Sequence, residues 1–306
     1  MSASPFSLEN LFGVKGKTVV VTGGGTGIGK GIADAFVTNG AKVFIVGRRK
    51  EVVDATAAEL SVNGAATGGV VIPIQGDVSS KDAVAKVFEA ISAQTDVVDV
   101  LVNCAGVVRP HRGGTIADVN DINKIQKALW DGHDDEDWQY TSAINTNAVY
   151  FMSVAFVPLL LKSEVRSIIN IASIAGIMLA RALASVSYGT TKAGTIHMTK
   201  LLAGRFSPAK IRVNCICPGI FPSEFTGSLG GATGHAYQVT EGARKAALRS
   251  IVGRPGLPEE VGGPCVLLGS NAGGFMNGAV LVVDGGRCLV AGINDGIKMP
   301  DDQYMC

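Results

Sequence analysis

The sequence predicts an α/β chain built on an open parallel sheet, and three observations carry that prediction. Short β-branched, apolar runs alternate with helix-length stretches from Thr18 to Val283. These runs are continuous rather than alternating in polarity, as in strands covered by helices on both faces. A glycine-rich turn breaks the first run and opens a helix. Composition agrees: of 306 residues, 47% are hydrophobic and 17% charged, which suits a large core and argues against disorder.

The first unit reads in order. Thr18-Val19-Val20-Val21-Thr22 is a buried strand. Gly23-Gly24-Gly25-Thr26-Gly27-Ile28-Gly29 follows, then a helix to Asn39 closed by Gly40. Ala41 to Val46 is the second strand. A glycine run in this strand–turn–helix–strand setting marks a dinucleotide site. Glycines let the backbone approach a pyrophosphate, and the helix start offers free N–H groups and partial positive charge. The candidate contacts here are Gly23, Thr26, Gly27, Ile28 and Gly29.

The end of the second strand bears on which cofactor binds. An acid there would hold the ribose hydroxyls of NAD. This chain has Gly47-Arg48-Arg49. Glycine leaves room for a 2′-phosphate and Arg48 supplies a planar cation for it, so NADP(H) is favoured over NAD(H). Arg49 reads instead as the start of a solvated helix. Val70 to Ile74 is the third strand, with Asp77 and Val78 just beyond it. Asp77 is placed to accept from an adenine amino group, to cap a helix over 79–94, or to do both. Asp99 to Val102 is the fourth strand, running into Asn103-Cys104-Ala105-Gly106. Asn103, Ala105 and Gly106 join the cofactor candidates, because ligands lie at the carboxyl ends of such strands.

The stretch Ser187-Tyr188-Gly189-Thr190-Thr191-Lys192 has no proline from Tyr188 to Phe206 and reads as helix. Tyr188 and Lys192 therefore share one face, a turn apart. A free tyrosine has a pKa of about 10. A neighbouring cation favours the phenolate and brings the phenol into range for proton transfer.

Thr22-Gly23-xxx-Gly27-x-Gly29, Asn103-Cys104-Ala105-Gly106, Tyr188-xxx-Lys192 and Pro218-Gly219 arrive in an order that resembles the short-chain dehydrogenase/reductase family. The likeness covers about residues 15–288. It implies a single Rossmann-type, doubly wound domain with a seven-stranded parallel sheet, in a homodimer or homotetramer. It also implies a catalytic set of Ser173, Tyr188, Lys192 and Asn145. In the family the serine hydrogen-bonds the substrate oxygen, and the asparagine kinks its helix and holds a water. Asn147 is the runner-up for Asn145, and Ser185 and Ser187 are rivals of Ser173. Pro218, Gly219, Ile220 and Ser223 map to the backbone and hydroxyl beside the nicotinamide amide.

The chain departs from the commoner family pattern in three places. Ser173 and Tyr188 stand 15 positions apart (188 − 173), longer than usual. Residues 109–137 form a long polar insertion, read as a short helix from Ile122 to Trp130. Asp134 or Asp135 then caps a long helix through Asn145 and Phe151. His111 and His133 in the insertion read as solvated. A tail, 289–306, extends beyond the family's end. Residues 220–257 read as a glycine-punctuated substrate loop, either a lid or plain surface. Ile174, Phe221 and Phe225, with Ser173 and Tyr188, are its candidate substrate contacts.

The net charge of +1, with no basic run, gives no reason to expect nucleic acid. No apolar run reaches the roughly 18 residues of a membrane span, and the start lacks a signal-peptide pattern. The six cysteines lack metal-type pairing, so buried thiols, no metal and a cytoplasmic setting are expected. The expected activity is NADP(H)-dependent interconversion of a carbonyl and an alcohol on a neutral, hydrophobic small molecule. The alternative is a non-redox isomerase, dehydratase or cyclase reusing the same pocket. A redox-silent scaffold would have no chemical need for all four catalytic side chains.

Overall fold

The computed structural model describes residues 4–109, 111–112, 121–179, 185–224, 226–229 and 237–290. Strands β1 (Thr18–Thr22), β2 (Lys42–Gly47), β3 (Val70–Gln75), β4 (Val100–Asn103), β5 (Ser167–Ile171) and β6 (Arg212–Pro218) pair in parallel. A small antiparallel hairpin, β7 (Gly227–Leu229) and β8 (Tyr237–Val239), stands apart. The last strand, β9 (Val280–Val283), returns beside β6. The main sheet has seven strands in the order β3-β2-β1-β4-β5-β6-β9, the arrangement the family resemblance implies.

The strands are apolar throughout because both faces are covered. In β1, Val19 and Val21 face α2 (Gly27–Thr38) and α11 (Pro258–Leu268), packing with Ile32, Phe36, Val261 and Leu268. Val20, between them, turns the other way toward Met152 and Leu202. Met152 lies on α7 (Ala148–Ala155) and Leu202 on α9 (Val186–Arg205). Helices α3 (Lys50–Gly64) and α4 (Lys81–Ser92) complete the first half of the wrap.

The polar insertion contains α5 (Ile122–Gly132) and leads into α6 (Asp135–Ser142). Asp134, not Asp135, caps α6 in a reciprocal box: its carboxylate accepts from Asp137 N–H and Asp137's accepts from Asp134 N–H. The predicted long helix is interrupted by a π-helical turn over Ala143–Asn147 before α7. The residues before α4 also differ from expectation. Ser80 is the cap, and Asp77 instead accepts from the N–H and hydroxyl of Ser79. The 221–257 loop holds the β7–β8 hairpin and α10 (Glu241–Leu248), more structure than a plain surface loop.

Candidate active site

The site forms where β1 to β6 end. At β1, Thr22 Oγ1 accepts from the N–H groups of Cys104 (3.0 Å) and Ala105 (3.1 Å), tying the glycine turn to the loop after β4. Gly23 has φ +68°, and a Cβ there would stand 2.9 Å from Ala105 Cα. At Gly29 a Cβ would meet Gly23 O at 2.2 Å, so only glycine lets α2 start this close to β1.

Two cavities open side by side over this turn. The first, of about 340 Å³, is lined by Gly23, Thr26, Arg48, Asp77, Val78, Ala105 and Gly106 among others. The second, of about 560 Å³, is lined by Ile28, Ser173, Ile174, Tyr188, Pro218, Gly219, Ile220, Phe221 and Ser223 among others. Chain neighbours split between them: Val107 lines the first and Val108 the second, as do Glu224 and Ser223. Gly27 sits at this seam, where its Cβ would lie 2.9 Å from Ser223 Cβ.

Asn103 lines neither cavity. Its amide donates to Asn170 Oδ1 (2.9 Å) and Ser153 Oγ (3.1 Å) inside the sheet, and its Oδ1 is buried without a partner. Phe225 lies outside the described residues.

Helix α9 presents Tyr188 and Lys192 on one face, as the spacing predicts. Lys192 is buried, donates from Nζ to Ile171 O (2.9 Å), and stands 5.7 Å from the centroid of the Tyr188 ring. Ser173 Oγ accepts from Ala175 N–H (3.1 Å), which leaves its hydroxyl proton free to donate into the cavity. Of its rivals, Ser185 lines the same cavity but is committed as the cap of α9, accepting from Tyr188 N–H. Ser187 is fully buried against Ser185 Oγ at 2.7 Å.

Asn145 sits in the π-helical turn, fully buried. Its Oδ1 accepts from Val107 N–H (2.8 Å), and its Nδ2 donates to Val107 O (2.9 Å) and Thr191 Oγ1 (3.1 Å). Thr195 Oγ1 donates to the Asn145 carbonyl at 2.7 Å. The asparagine thus braces α9 against the loop after β4. Asn147 makes no comparable contact among the described side-chain hydrogen bonds.

The histidines of the insertion are half-buried and make contacts rather than standing free in solvent. His133 Nε2 hydrogen-bonds Ser185 Oγ at 3.1 Å, and its ring meets that of His111 edge-on at 5.3 Å. Cys104 lies beside Lys192, yet burial outweighs that charge and pushes its thiol up to about 12. Cys215 and Cys217 lie with their sulfurs 3.9 Å apart in the buried strand β6.

Polar side chains that bear on the two cavities escaped the sequence reading. Tyr140, on α6, accepts from Arg48 Nη1 at 2.8 Å while Arg109 covers its ring at 4.1 Å. Arg287, directly after Asp284-Gly285-Gly286 at the end of β9, lines the second cavity.

A short chain dehydrogenase family model matches residues 17–233. The chain is a member of the short-chain dehydrogenase/reductase family. This short-chain dehydrogenase/reductase is 36% identical over 287 residues to "Short-chain dehydrogenase/reductase PhomF" of Diaporthe leptostromiformis, covering 92% of this chain and 94% of that one. Among solved structures it is similar to the RhlG/NADP active-site complex of Pseudomonas aeruginosa. That match has 29% identity and a TM-score of 0.74, and covers 90% of this chain and 98% of that one. It is also similar to an NADPH-dependent 3-quinuclidinone reductase from Rhodotorula rubra, at 25% identity and a TM-score of 0.74, covering 94% and 97% of the two chains.

Proposed function

We propose that this enzyme is an NADP(H)-dependent oxidoreductase that interconverts a carbonyl and an alcohol on a largely apolar small molecule. The observation that carries the reading is the convergence of Ser173 and Tyr188 on one cavity of about 560 Å³, with buried Lys192 behind the tyrosine. Apolar side chains, including Ile28, Ile174, Leu179 and Phe221, make up much of its wall.

The residues fit a dinucleotide. The first N–H groups of α2 have no intrahelical partner and Thr26 adds no side-chain cap, which leaves them available to an anion. A Cβ on Gly106 would come within 3.4 Å of both Asn145 Oδ1 and Lys192 Nζ, so glycine keeps that space open. Gly23, Thr26, Gly27, Ile28 and Gly29 would hold the pyrophosphate, Arg48 a 2′-phosphate, and Asp77 and Val78 the adenine. Tyr188 and Lys192 would hold the ribose, and Pro218, Gly219, Ile220 and Ser223 the carboxamide side. RhlG and the quinuclidinone reductase are described with NADP and NADPH, which supports the same choice here. When bound, the nicotinamide supplies the hydride in the reducing direction and accepts it in the other.

The chain's own residues handle the oxygen and the proton. Ser173 donates to the substrate oxygen, and Tyr188 donates beside it and delivers the proton as alkoxide charge develops. Two fixed donors aimed at growing charge stabilise the transition state more than the ground state. Lys192, anchored on Ile171 O, keeps further N–H groups for the ribose and for water. Asn145 holds Thr191 and the loop at Val107, which fixes the position of that lysine-bearing turn. An association of two or four copies and a place in the cytoplasm accord with this reading.

The test is NADPH absorbance across apolar ketones, with Tyr188→Phe as the control. The variant should lose about 10²–10⁴-fold in turnover while still binding NADPH. Retention of most of the rate would refute the proton-transfer role. Conversion of a substrate with no net change in the nicotinamide would favour an isomerase or dehydratase instead.

A further inference from the structure

Arg287 is a buried arginine that forms no ion pair among the described residues. It is 3% exposed, and its Nη1 has no hydrogen-bond partner. It follows β9 and stands in the wall between the 560 Å³ substrate cavity and a smaller one of about 140 Å³. Asp284 is close enough to favour its charge but forms no ion pair with it, and Glu260, which lines the smaller cavity, is paired elsewhere. Asp284 accepts from Gly286 N–H (2.8 Å) and Cys288 N–H (2.7 Å). Glu260 is gripped by Arg254 at 2.6 and 2.8 Å and accepts from Leu257 N–H. Arg249 lies close enough to act on Arg287 as a like charge.

Leaving a guanidinium buried and unpaired is costly, and apolar substitutes of similar bulk are generally cheaper. Folding alone gives no reason for an arginine here, but a ligand in the cavity does. The guanidinium fork matches two coplanar oxygens, so it suits a carboxylate. Among the described residues that line this cavity it is the single arginine or lysine, which favours a monoanion over a phosphate dianion.

The geometry points to Arg287 as the specificity residue of the substrate cavity, taking a carboxylate carried by an otherwise apolar keto or hydroxy compound. This rests on the oxidoreductase reading above and narrows it, replacing a neutral substrate by an amphipathic acid. The carboxylate would pair with Arg287 while the reacting oxygen meets Ser173 and Tyr188, with the apolar body lying along Ile174, Leu179 and Phe221.

The test compares 4-oxo-4-phenylbutanoic acid with its methyl ester on the full chain loaded with NADP⁺. Calorimetry reads binding, and NADPH consumption reads turnover. The acid should bind about 10- to 100-fold more tightly than the ester, the range expected for a hydrogen-bonded charge. Arg287→Met should abolish that preference, and Arg287→Lys should restore part of it. Equal affinity of acid and ester for the wild-type protein, no binding of the acid, or a preference that persists in Arg287→Met would overturn the proposal. The wild-type comparison decides even if Arg287→Met does not fold. Reduction of the ester without any acid preference would sink this inference and leave the oxidoreductase reading standing. Acid-selective binding lost in Arg287→Met, with no turnover of either probe, would uphold this inference and leave the oxidoreductase reading to the ketone panel.

Discussion

Arg48 is exposed at the rim of the first cavity, with its guanidinium held by the phenol of Tyr140. That one hydrogen bond limits the rotamers of a side chain that would otherwise sweep solvent, and a pre-set cation loses less entropy on meeting a phosphate. A hydrogen bond to a charged partner is worth about 1.5–3 kcal/mol. Arg48→Ser should therefore raise KM for NADPH by about 10- to 150-fold and leave KM for NADH nearly unchanged. Steady-state kinetics with both cofactors checks this, and equal losses for the two would remove Arg48 as the selector. Arg48 was legible in the sequence because its position is local: it closes a strand that follows a recognisable turn. Tyr140 was not, because its partner lies 92 positions away and only the packed insertion brings them together. Arg287 was hidden for a related reason. It follows Asp284-Gly285-Gly286 near the end of the described chain, and nothing in the chain order says that it lines a cavity also lined by Tyr188.

Helix α11 shows what a single charge pair does for an element that supports the site. Its partner α2 carries the glycine turn, and the two approach so closely that a Cβ on Gly31 would stand 2.9 Å from Pro258 Cβ. The start of α11 is fixed by Glu260, which accepts from Leu257 N–H at 2.8 Å and from both terminal nitrogens of Arg254. The Arg254 hydrogen bonds, helped by the Leu257 N–H, pull the Glu260 carboxyl down from 4.5 to about 2. A carboxyl lowered on folding stabilises the fold above its unfolded value, and that contribution fades as pH falls toward the folded value. Glu260→Gln should thus lower the melting temperature at pH 7 by about 0.5–1.5 °C, a small effect because solvent screens the pair. The gap to wild type should narrow between pH 4.5 and pH 2, and also in 1 M salt. A gap that widens on acidification, read by thermal scans at several pH values, would contradict this account. Neither the helix nor its capping grip was read from the sequence: Gly262, Gly263 and Pro264 stand inside it, and Arg254 lies in a loop without periodicity. The π-helical turn at Asn145 was foreshadowed only by family likeness, because no local residue pattern distinguishes it from ordinary helix.

Across the whole molecule, the candidate cofactor residues come from both halves of the sheet. Gly23, Arg48 and Asp77 follow β1, β2 and β3, whereas Lys192 lies on α9 and Gly219 follows β6. The alternation of strands and helices made this arrangement legible, because right-handed crossovers place every strand end on one side. What it did not convey is how the long connections fill in: the β7–β8 hairpin, α10, and the insertion that leans Tyr140 onto Arg48. A dinucleotide spanning both halves binds the folded chain and not the unfolded one, so it stabilises the molecule as a unit. At about 100 times its Kd the gain is about 2.7 kcal/mol. For a chain of this size that corresponds to a rise in melting temperature of about 4 °C. NADPH should produce that rise, and NADH at equal concentration a clearly smaller one. Tyr188→Phe should keep the NADPH shift, since the phenol's main work is proton transfer and the other contacts survive. Thermal scans of the two proteins with each cofactor decide it. Equal shifts with NADPH and NADH would dismiss the 2′-phosphate preference. A shift lost in Tyr188→Phe would make the tyrosine a binding residue first, and its loss of turnover could then no longer be read as loss of a proton donor.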